Sequence, residues 1–481
     1  MAADLHGSSA WYPWVSSSYF IAQTVVQPLF PKLVGLFGIK ATLLFSVLQF
    51  ALFSGLCGGA HNMTSLVIYR AFQGAAAGGI VTNVWTVMTR LVYEDQKPQC
   101  TFFQSGTWIF AAAAAPAIGG AFSTVWINIP IAGVAVILGS LILYKVPLDD
   151  DDEKVKKGRG INSMLRELDL LGLTLLTCGT ILFLLGLTFA PLYGWESLTT
   201  LPVFLGGFAT LLIALLYEAF GAVNGVIPAS YFRDPTIVVI MVFSFFQTYG
   251  YTTVTYFLVI YYQGVLGMNA KEAGARVLGF SAVAAGFCAV VAIFQNRFHH
   301  SLLYPITFGL GVCSIGIGCF ATLDYHSSDA VSVTLAVVVG CGFAFLLKLP
   351  NDLLTHTLQD KKLTYGNSMF FFVRFTGCSV GITISNTVFV MRWAKLLPLN
   401  SAIDPHTVDW GALHEIQDIQ LRESVLAALA ASLSTVWVLC SSLLAFSAML
   451  CIAVIASDHV SHFLTDIRPS VCNEGDKQPP V

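Results

Sequence analysis

The feature that most constrains this chain is the recurrence, from one end to the other, of apolar runs separated by short polar breaks. Thirteen such runs fall at roughly 14–34, 41–60, 65–89, 102–123, 125–144, 170–190, 200–219, 236–260, 277–296, 303–321, 330–349, 368–391 and 432–456. A helix needs about 20 apolar residues to cross the hydrocarbon layer, so each run is a candidate span. The boundary before 125–144 is the least defined, because almost no loop precedes it. The runs are interrupted by Gly, Ser and Thr instead of alternating strictly with polar residues, which argues against a lipid-facing barrel. Only 11% of the 481 residues are charged, while 56% are hydrophobic. Soluble domains carry about 25% charge to clothe their surfaces, so the expected fold is all-α and polytopic in a membrane.

Basic residues set the orientation. With the amino terminus outside, Lys32, Lys40, Arg90, Lys97, Lys145, Lys154, Lys156, Lys157, Arg159, Arg166, Arg233, Arg297, Lys361, Lys362, Arg468 and Lys477 fall on the cytoplasmic side. Only Lys271, Arg276, Arg392, Lys395 and Arg422 fall outside, and Arg70, Lys348 and Arg374 lie within spans. The DDDDEK run at 149–154 reads as a solvated cytoplasmic loop. No basic patch interleaved with aromatics suggests nucleic acid. No Walker-type phosphate loop suggests direct ATP drive. The eleven cysteines lie mostly inside spans at no metal-ligand spacing, and His299 with His300 has no nearby cysteine. Neither an enzyme nor a metal or cofactor site is expected. Asn62-Met63-Thr64 is a sequon in a very short outer loop.

LVIYRAFQGAAAGGI, residues 66–80, places a single charge, Arg70, in an apolar segment rich in glycine and alanine. Arg70, Gly74 and Gly78 are spaced by four and share a helix face, where small residues let a second backbone approach. The arginine either faces an internal cavity or a polar partner, since exposure to lipid is expensive, or snorkels to the surface. Around Pro116, AAAAAPAIGGA combines a kinking proline with Gly119 and Gly120, small enough for tight sliding or for plain packing. Asn83, Thr86, Gln247, Tyr249, Tyr261 and Gln263 are candidate path-lining residues. The aromatic and hydroxyl-rich run 245–257 fits either a cavity for amphiphiles or an interface belt. Arg374, Gly377 and Gly381 repeat the charge-plus-small-residue pattern.

Taken together, these stretches resemble the major facilitator superfamily, in particular its fungal fourteen-helix drug:proton antiporters. LVIYRAFQGAAAGGI is similar to the family's fourth-helix motif at Arg70, Gln73, Gly74 and Gly78. APAIGG (115–120) followed by INIPIAG (127–133) resembles the fifth-helix motif and the start of the sixth. YFLVIYYQGVLGMNAKEAGARVLGF (256–280), VRFTGCSVGITISNTVF (373–389) and LHEIQDIQLRESVLAALA resemble stretches of the second half. The resemblance implies two helical bundles with two inserted helices, 170–190 and 200–219, between them. The expected domains are a transporter half at 1–144, a linker with the inserted pair at 145–235, a six-helix half at 236–456 and a cytoplasmic tail at 457–481. It also implies proton coupling or a conformational role for Arg70, Gln73, Gly74, Gly78, Pro116, Gly119, Gly120 and Arg374. The implied function is export of small, amphiphilic molecules by proton antiport, by a monomer in the plasma or vacuolar membrane.

Two departures bear on that expectation. The chain begins where the family's first helix should already have ended, which reads either as a truncated gene model or splice form, or as a natural thirteen-helix variant. The loop motif PKLVGLFGIK (31–40) keeps Lys32, Leu33, Gly38 and Lys40 but has Gly35 in place of the acidic residue and Ile39 in place of an arginine. No Asp or Glu stands at the centre of any expected span; Asp169 and Glu218 are expected to face water or pack at the inserted pair. A transport-inactive or regulatory member of the same fold is therefore the alternative reading.

Overall fold

The computed structural model describes residues 12–91, 103, 107, 128–144, 169–220, 234–294, 302–358, 360–398, 410 and 412–466. Helices α1 (Tyr12–Val25), α2 (Phe30–Phe37), α3 (Ile39–Gly58), α4 (Met63–Leu91) and α5 (Asn128–Tyr144) come first. The pair α6 (Leu170–Tyr193) and α7 (Leu201–Phe220) follows, and then α8 (Pro235–Ile260), α9 (Ala270–Phe294), α10 (Leu303–Phe320), α11 (Asp329–Thr357), α12 (Asp360–Leu396) and α13 (Ile419–Asp466). No strand occurs among the described residues. Among the described residues ten segments are long and apolar enough to cross a membrane, and Pro130–Leu141 in α5 is a shorter apolar helix. Every expected span coincides with a helix except 102–123, which lies almost wholly outside the described residues, as does the linker 145–169.

Local chemistry explains the ends. The first span is broken: α1 passes through a 3₁₀ turn, Gln27–Leu29, into α2, and Pro28 and Pro31 occupy early helical positions where a missing N–H costs nothing. Gly38 then separates α2 from α3 with φ 84°, a left-handed conformation suited to glycine. Asp169 caps α6 by accepting from the Gly172 N–H at 2.9 Å, and Gly194 at φ 80° ends it. Asn62, the sequon asparagine, accepts from the Ser65 N–H at 2.8 Å at the start of α4. Asp234 accepts from the Thr236 N–H at 3.0 Å ahead of Pro235 in α8. Four helices outrun their expected spans, because polar residues flanking the apolar run continue the helix beyond it: α9 from Ala270, α11 to Thr357, α12 from Asp360 to Leu396, and α13 from Ile419 to Asp466.

The helices sort into two groups and a bridging pair. In the first, α1 and α3 pack on α4, and α5 packs on α3. In the second, α8 lies between α12 and α13, while α11 joins α9 to α10 and α10 packs on α13. The α6/α7 pair packs chiefly on itself and leans through α6 against both α1 and α12. The groups meet where α12 crosses α1 and α4. The larger buried core belongs to the second group, with Phe243, Phe257, Phe280, Phe343 and Trp437 almost wholly sealed. Outward-facing Phe45, Leu52, Leu141, Leu205, Phe208, Leu212, Ile315 and Met449 remain exposed. An apolar perimeter of that extent is far larger than a soluble monomer tolerates and is what hydrocarbon would cover.

Candidate functional site

The helix carrying LVIYRAFQGAAAGGI packs by backbone. A Cβ on Gly74 would lie 2.1 Å from the Tyr19 carbonyl oxygen of α1, and one on Gly78 would lie 2.8 Å from that of Gln23. A Cβ on Gly79 would point the other way, into the Phe30 ring and the Ser46 hydroxyl. Glycine lets α4 touch α1 and α3 together. Arg70 sits one turn before Gly74 and donates from Nη1 to the Gln73 Oε1 at 3.3 Å. Gln73 in turn donates to the Ser54 hydroxyl of α3 at 2.8 Å. The guanidinium is therefore tethered to an amide held by a second helix, although its Nε–H is buried without a partner.

Farther along this interface lies a residue that sequence reasoning missed. Gln27 is fully buried; its Nε2 donates to the Gly78 carbonyl at 3.3 Å, and its Oε1 accepts from the Thr82 hydroxyl. Its main-chain oxygen accepts from the Ser368 hydroxyl of α12, which joins the two helix groups. Lys32 lies over the Tyr365 ring at 5.8 Å, and Trp85 of α4 meets Phe371 at 5.8 Å. The only hint in the sequence is an amide immediately before a proline in an apolar run.

In the second group, α12 repeats the glycine device against α8. A Cβ on Gly377 would lie 2.5 Å from the Phe245 carbonyl oxygen, and one on Gly381 would lie 2.9 Å from that of Tyr249. Tyr249 and Ser385 share a hydrogen bond at 3.0 Å, and Thr253 reaches the same hydroxyl at 3.2 Å. Arg374 lies three residues before Gly377 and stacks over the Phe370 ring at 5.2 Å. Tyr251 of α8, which lies close to Arg374, donates to the Ser281 hydroxyl at 3.4 Å.

The structure does not gather the candidate path residues into one place. Asn83 is fully buried with both side-chain polar atoms unpaired, and Thr86 donates back to the Thr82 carbonyl at 2.8 Å. Gln247 is also fully buried and unpaired at both polar atoms. Tyr249 is committed to helix-to-helix contact. Tyr261 and half-buried Gln263 lie in a π turn, Tyr261–Val265, at the far end of α8, where Tyr261 donates to the Asp324 carbonyl at 3.4 Å. At 1.5 Å per residue that turn stands about 20 Å from Gln247. Pro116, Gly119 and Gly120 lie outside the described residues, as do His299 and His300.

The carboxylates are more deeply placed than the sequence suggests. Asp169 and Glu218 both converge on Gly172, Glu218 being 1% exposed, and Tyr217 donates to Asp169 at 3.2 Å. They pack at the inserted pair. Because α11 continues to Thr357, Asp352 is helical, 14% exposed and 3.1 Å from Lys348. The signal for that pair was its Lys-x-x-x-Asp spacing, which puts both on one helix face. A cavity of about 150 Å³ opens where α6 meets α1, α8 and α12, lined by Ser17, Phe20, Thr188, Tyr256, Ser379 and Thr383 among others. Among the described residues no His, Cys, Asp or Glu cluster could hold a metal ion, and the described cysteines are free thiols.

A family model described as Major Facilitator Superfamily matches residues 1–382. The efflux pump dotC of Dothistroma septosporum is 25% identical over 485 residues, covering 96% of this chain and 80% of its own length. The efflux pump FUS6 of Gibberella moniliformis is 28% identical over 471 residues, covering 91% and 79%. Among solved structures, the human organic anion transporter MFSD10 superposes with a TM-score of 0.56 at 11% identity, over 90% of this chain and 83% of that one. The proton:xylose symporter XylE gives 0.54 at 13% identity, over 92% and 87%. At such identities these structures share the fold and say nothing about cargo.

Proposed function

The chain belongs to the major facilitator superfamily and is a multi-pass membrane protein, and from that premise we propose that it exports small amphiphilic organic molecules in exchange for inward-moving protons. The observation that carries this reading is the pairing of two helix groups, joined by a thin polar seam at Gln27 and Ser368, with fungal efflux pumps as relatives across nearly the whole chain. A seam of a few hydrogen bonds and ring contacts is weak enough to break as the groups rock about their contact. Tight backbone contacts at Gly74 and Gly377 keep each group rigid while they do so. Arg70, fixed by Gln73, is placed to sense the protonation state of the path and to bias that rocking. The protein acts as a monomer in the plasma membrane, with substrate, protons and lipid as its partners and no cofactor.

Reconstitution in vesicles with an imposed pH gradient and labelled amphiphiles tests the reading. Wild type should accumulate substrate against its gradient, and Arg70→Ala should insert normally yet lose substrate-dependent proton movement. Arg70→Lys should recover only part of it, since lysine keeps the charge without the planar donor fork. Equal coupled flux by wild type and Arg70→Ala would remove the coupling role. One observation favours the second reading, a transport-inactive member. Gly35 is exposed with nothing within 4 Å of where its side chain would project, so the acidic switch expected there has no substitute. Absence of flux for every probe, from protein that folds and inserts, would support that reading.

A further inference from the structure

Arg374 stands well inside the membrane-spanning helix α12, fourteen residues after Asp360 and twenty-two before Leu396 (374 − 360 and 396 − 374). Arg276 pairs with Asp329 and Lys348 with Asp352, and among the described residues no carboxylate forms an ion pair with Arg374. Its contact is the face of Phe370 at 5.2 Å, with the Tyr251 phenol nearby. The helical wheel fixes where it points. At 100° per residue, Arg374 lies about 60° from Phe371 on one side and about 60° from Gly377 on the other. Phe371 meets Trp85 of α4, and Gly377 meets α8. The guanidinium is therefore directed into the seam between the two helix groups, and the residue as a whole is half-buried there.

Charge at this depth is expensive unless paired, and a guanidinium fork matches a carboxylate with two parallel hydrogen bonds. Tyr251 supplies a second donor nearby, held only by a long 3.4 Å bond to Ser281. The rings of Phe280 and Phe343, sealed in the core, pack on the Tyr251 ring at 5.7 and 5.4 Å and hold it in place. Cation, phenol and the half-buried Trp85 ring across the seam are the complement of a flat apolar body with an acidic head. We propose that Arg374 anchors the anionic group of the cargo, and that the chain carries aromatic or amphiphilic carboxylates. Arg70 is excluded from that role by its tether to Gln73.

The proposal rests on the transport reading, and the test separates the two. The full 481-residue chain in lipid nanodiscs is titrated at pH 7 with 2-naphthoate and with its uncharged methyl ester. Wild type should bind the acid at least tenfold more tightly. Arg374→Gln should lower affinity for the acid to that of the ester while leaving the ester unchanged, which also certifies the fold. Arg70→Gln should keep the preference. Equal binding of acid and ester by wild type, no binding of the acid, or an undiminished preference in Arg374→Gln would each overturn the proposal, and the wild-type comparison stands even where the variant fails to fold. Vesicle flux is then measured with the same probes. A binding preference without flux would remove the transport reading and leave the site; flux of the ester as fast as the acid, with equal binding, would keep transport and remove the site.

Discussion

The contact of α4 on α1 and that of α12 on α8 use the same steric device and finish it differently. In both, glycines four apart press against carbonyl oxygens four apart: Gly74 and Gly78 on Tyr19 and Gln23, and Gly377 and Gly381 on Phe245 and Tyr249. In both, an arginine stands within a turn of the first glycine. The first arginine is tied by Gln73 into a chain of amide and hydroxyl on α3, whereas the second rests on a ring with no hydrogen bond to a described side chain. Small residues set how closely helices approach, and the neighbours set whether a charge is locked in place or left for a ligand.

The steric half of the comparison should give the largest effects. Gly74→Leu and Gly377→Leu should both abolish monodisperse protein in size-exclusion chromatography, because added volume would meet main chain instead of a movable side chain. Overpacking of a filled core costs about 1–3 kcal/mol, and more where backbone must shift. The alanine variants should be graded, Gly74→Ala losing more thermal stability than Gly377→Ala, since the clashes stand at 2.1 and 2.5 Å. Gly35→Ala, inside α2 with open space around it, should hold or slightly raise the melting temperature. A Gly74→Ala protein as stable as wild type would break the parallel.

Next come the two arginine settings. Gln73→Leu removes the acceptor of Arg70 and the donor to Ser54, leaving a half-buried guanidinium further unsatisfied, and should cost about 1–3 kcal/mol. Phe370→Leu removes only a ring face beneath Arg374; a cation–π contact contributes about 0.5–2 kcal/mol, depending on its desolvation. Thermal unfolding in nanodiscs should therefore rank Gln73→Leu as the more damaging. The reverse order would mean that Arg374 is the better-locked of the two.

Much of this arrangement was legible in the sequence, and the gaps have physical causes. Apolar run length located the helices, since a helix crossing hydrocarbon must satisfy its own backbone. It misjudged the ends of α9, α11, α12 and α13, because a helix does not stop where hydrocarbon does. The four-residue spacing of Gly74 and Gly78 announced a close contact but could not name α1 as the partner. Gln27 and Asp352 escaped notice because their importance comes from tertiary placement: one lies in a turn between helices, and the other beyond the apolar run but inside its helix. The candidate path residues were chosen for polarity alone. Polarity does not distinguish a side chain facing a path from Tyr249, which is occupied in bonding Ser385.

The smallest expected effect concerns that last bond, which has no counterpart in the α4–α1 contact among the described hydrogen bonds. The Ser385 hydroxyl lies 3.0 Å from the Tyr249 hydroxyl and 3.2 Å from Thr253, with Tyr249 and Ser385 both buried. Ser385→Ala removes one partner and strands the Tyr249 phenol in an apolar interior. A net hydrogen bond contributes about 0.5–1.5 kcal/mol, and an orphaned buried donor costs about 1–3 kcal/mol. Tyr249→Phe in the wild-type background removes the phenol instead and leaves Ser385 still bonded to Thr253, so it should cost less. The decisive variant combines the two. With both hydroxyls gone there is no orphaned phenol, and Ser385→Ala/Tyr249→Phe should be more stable than Ser385→Ala alone. Thermal melts of the four proteins give the coupling directly. A double variant less stable than Ser385→Ala would mean that the hydroxyl pair does not hold α8 to α12 and that the glycine contact at Gly377 and Gly381 alone sets their approach, as its counterpart does in the first group.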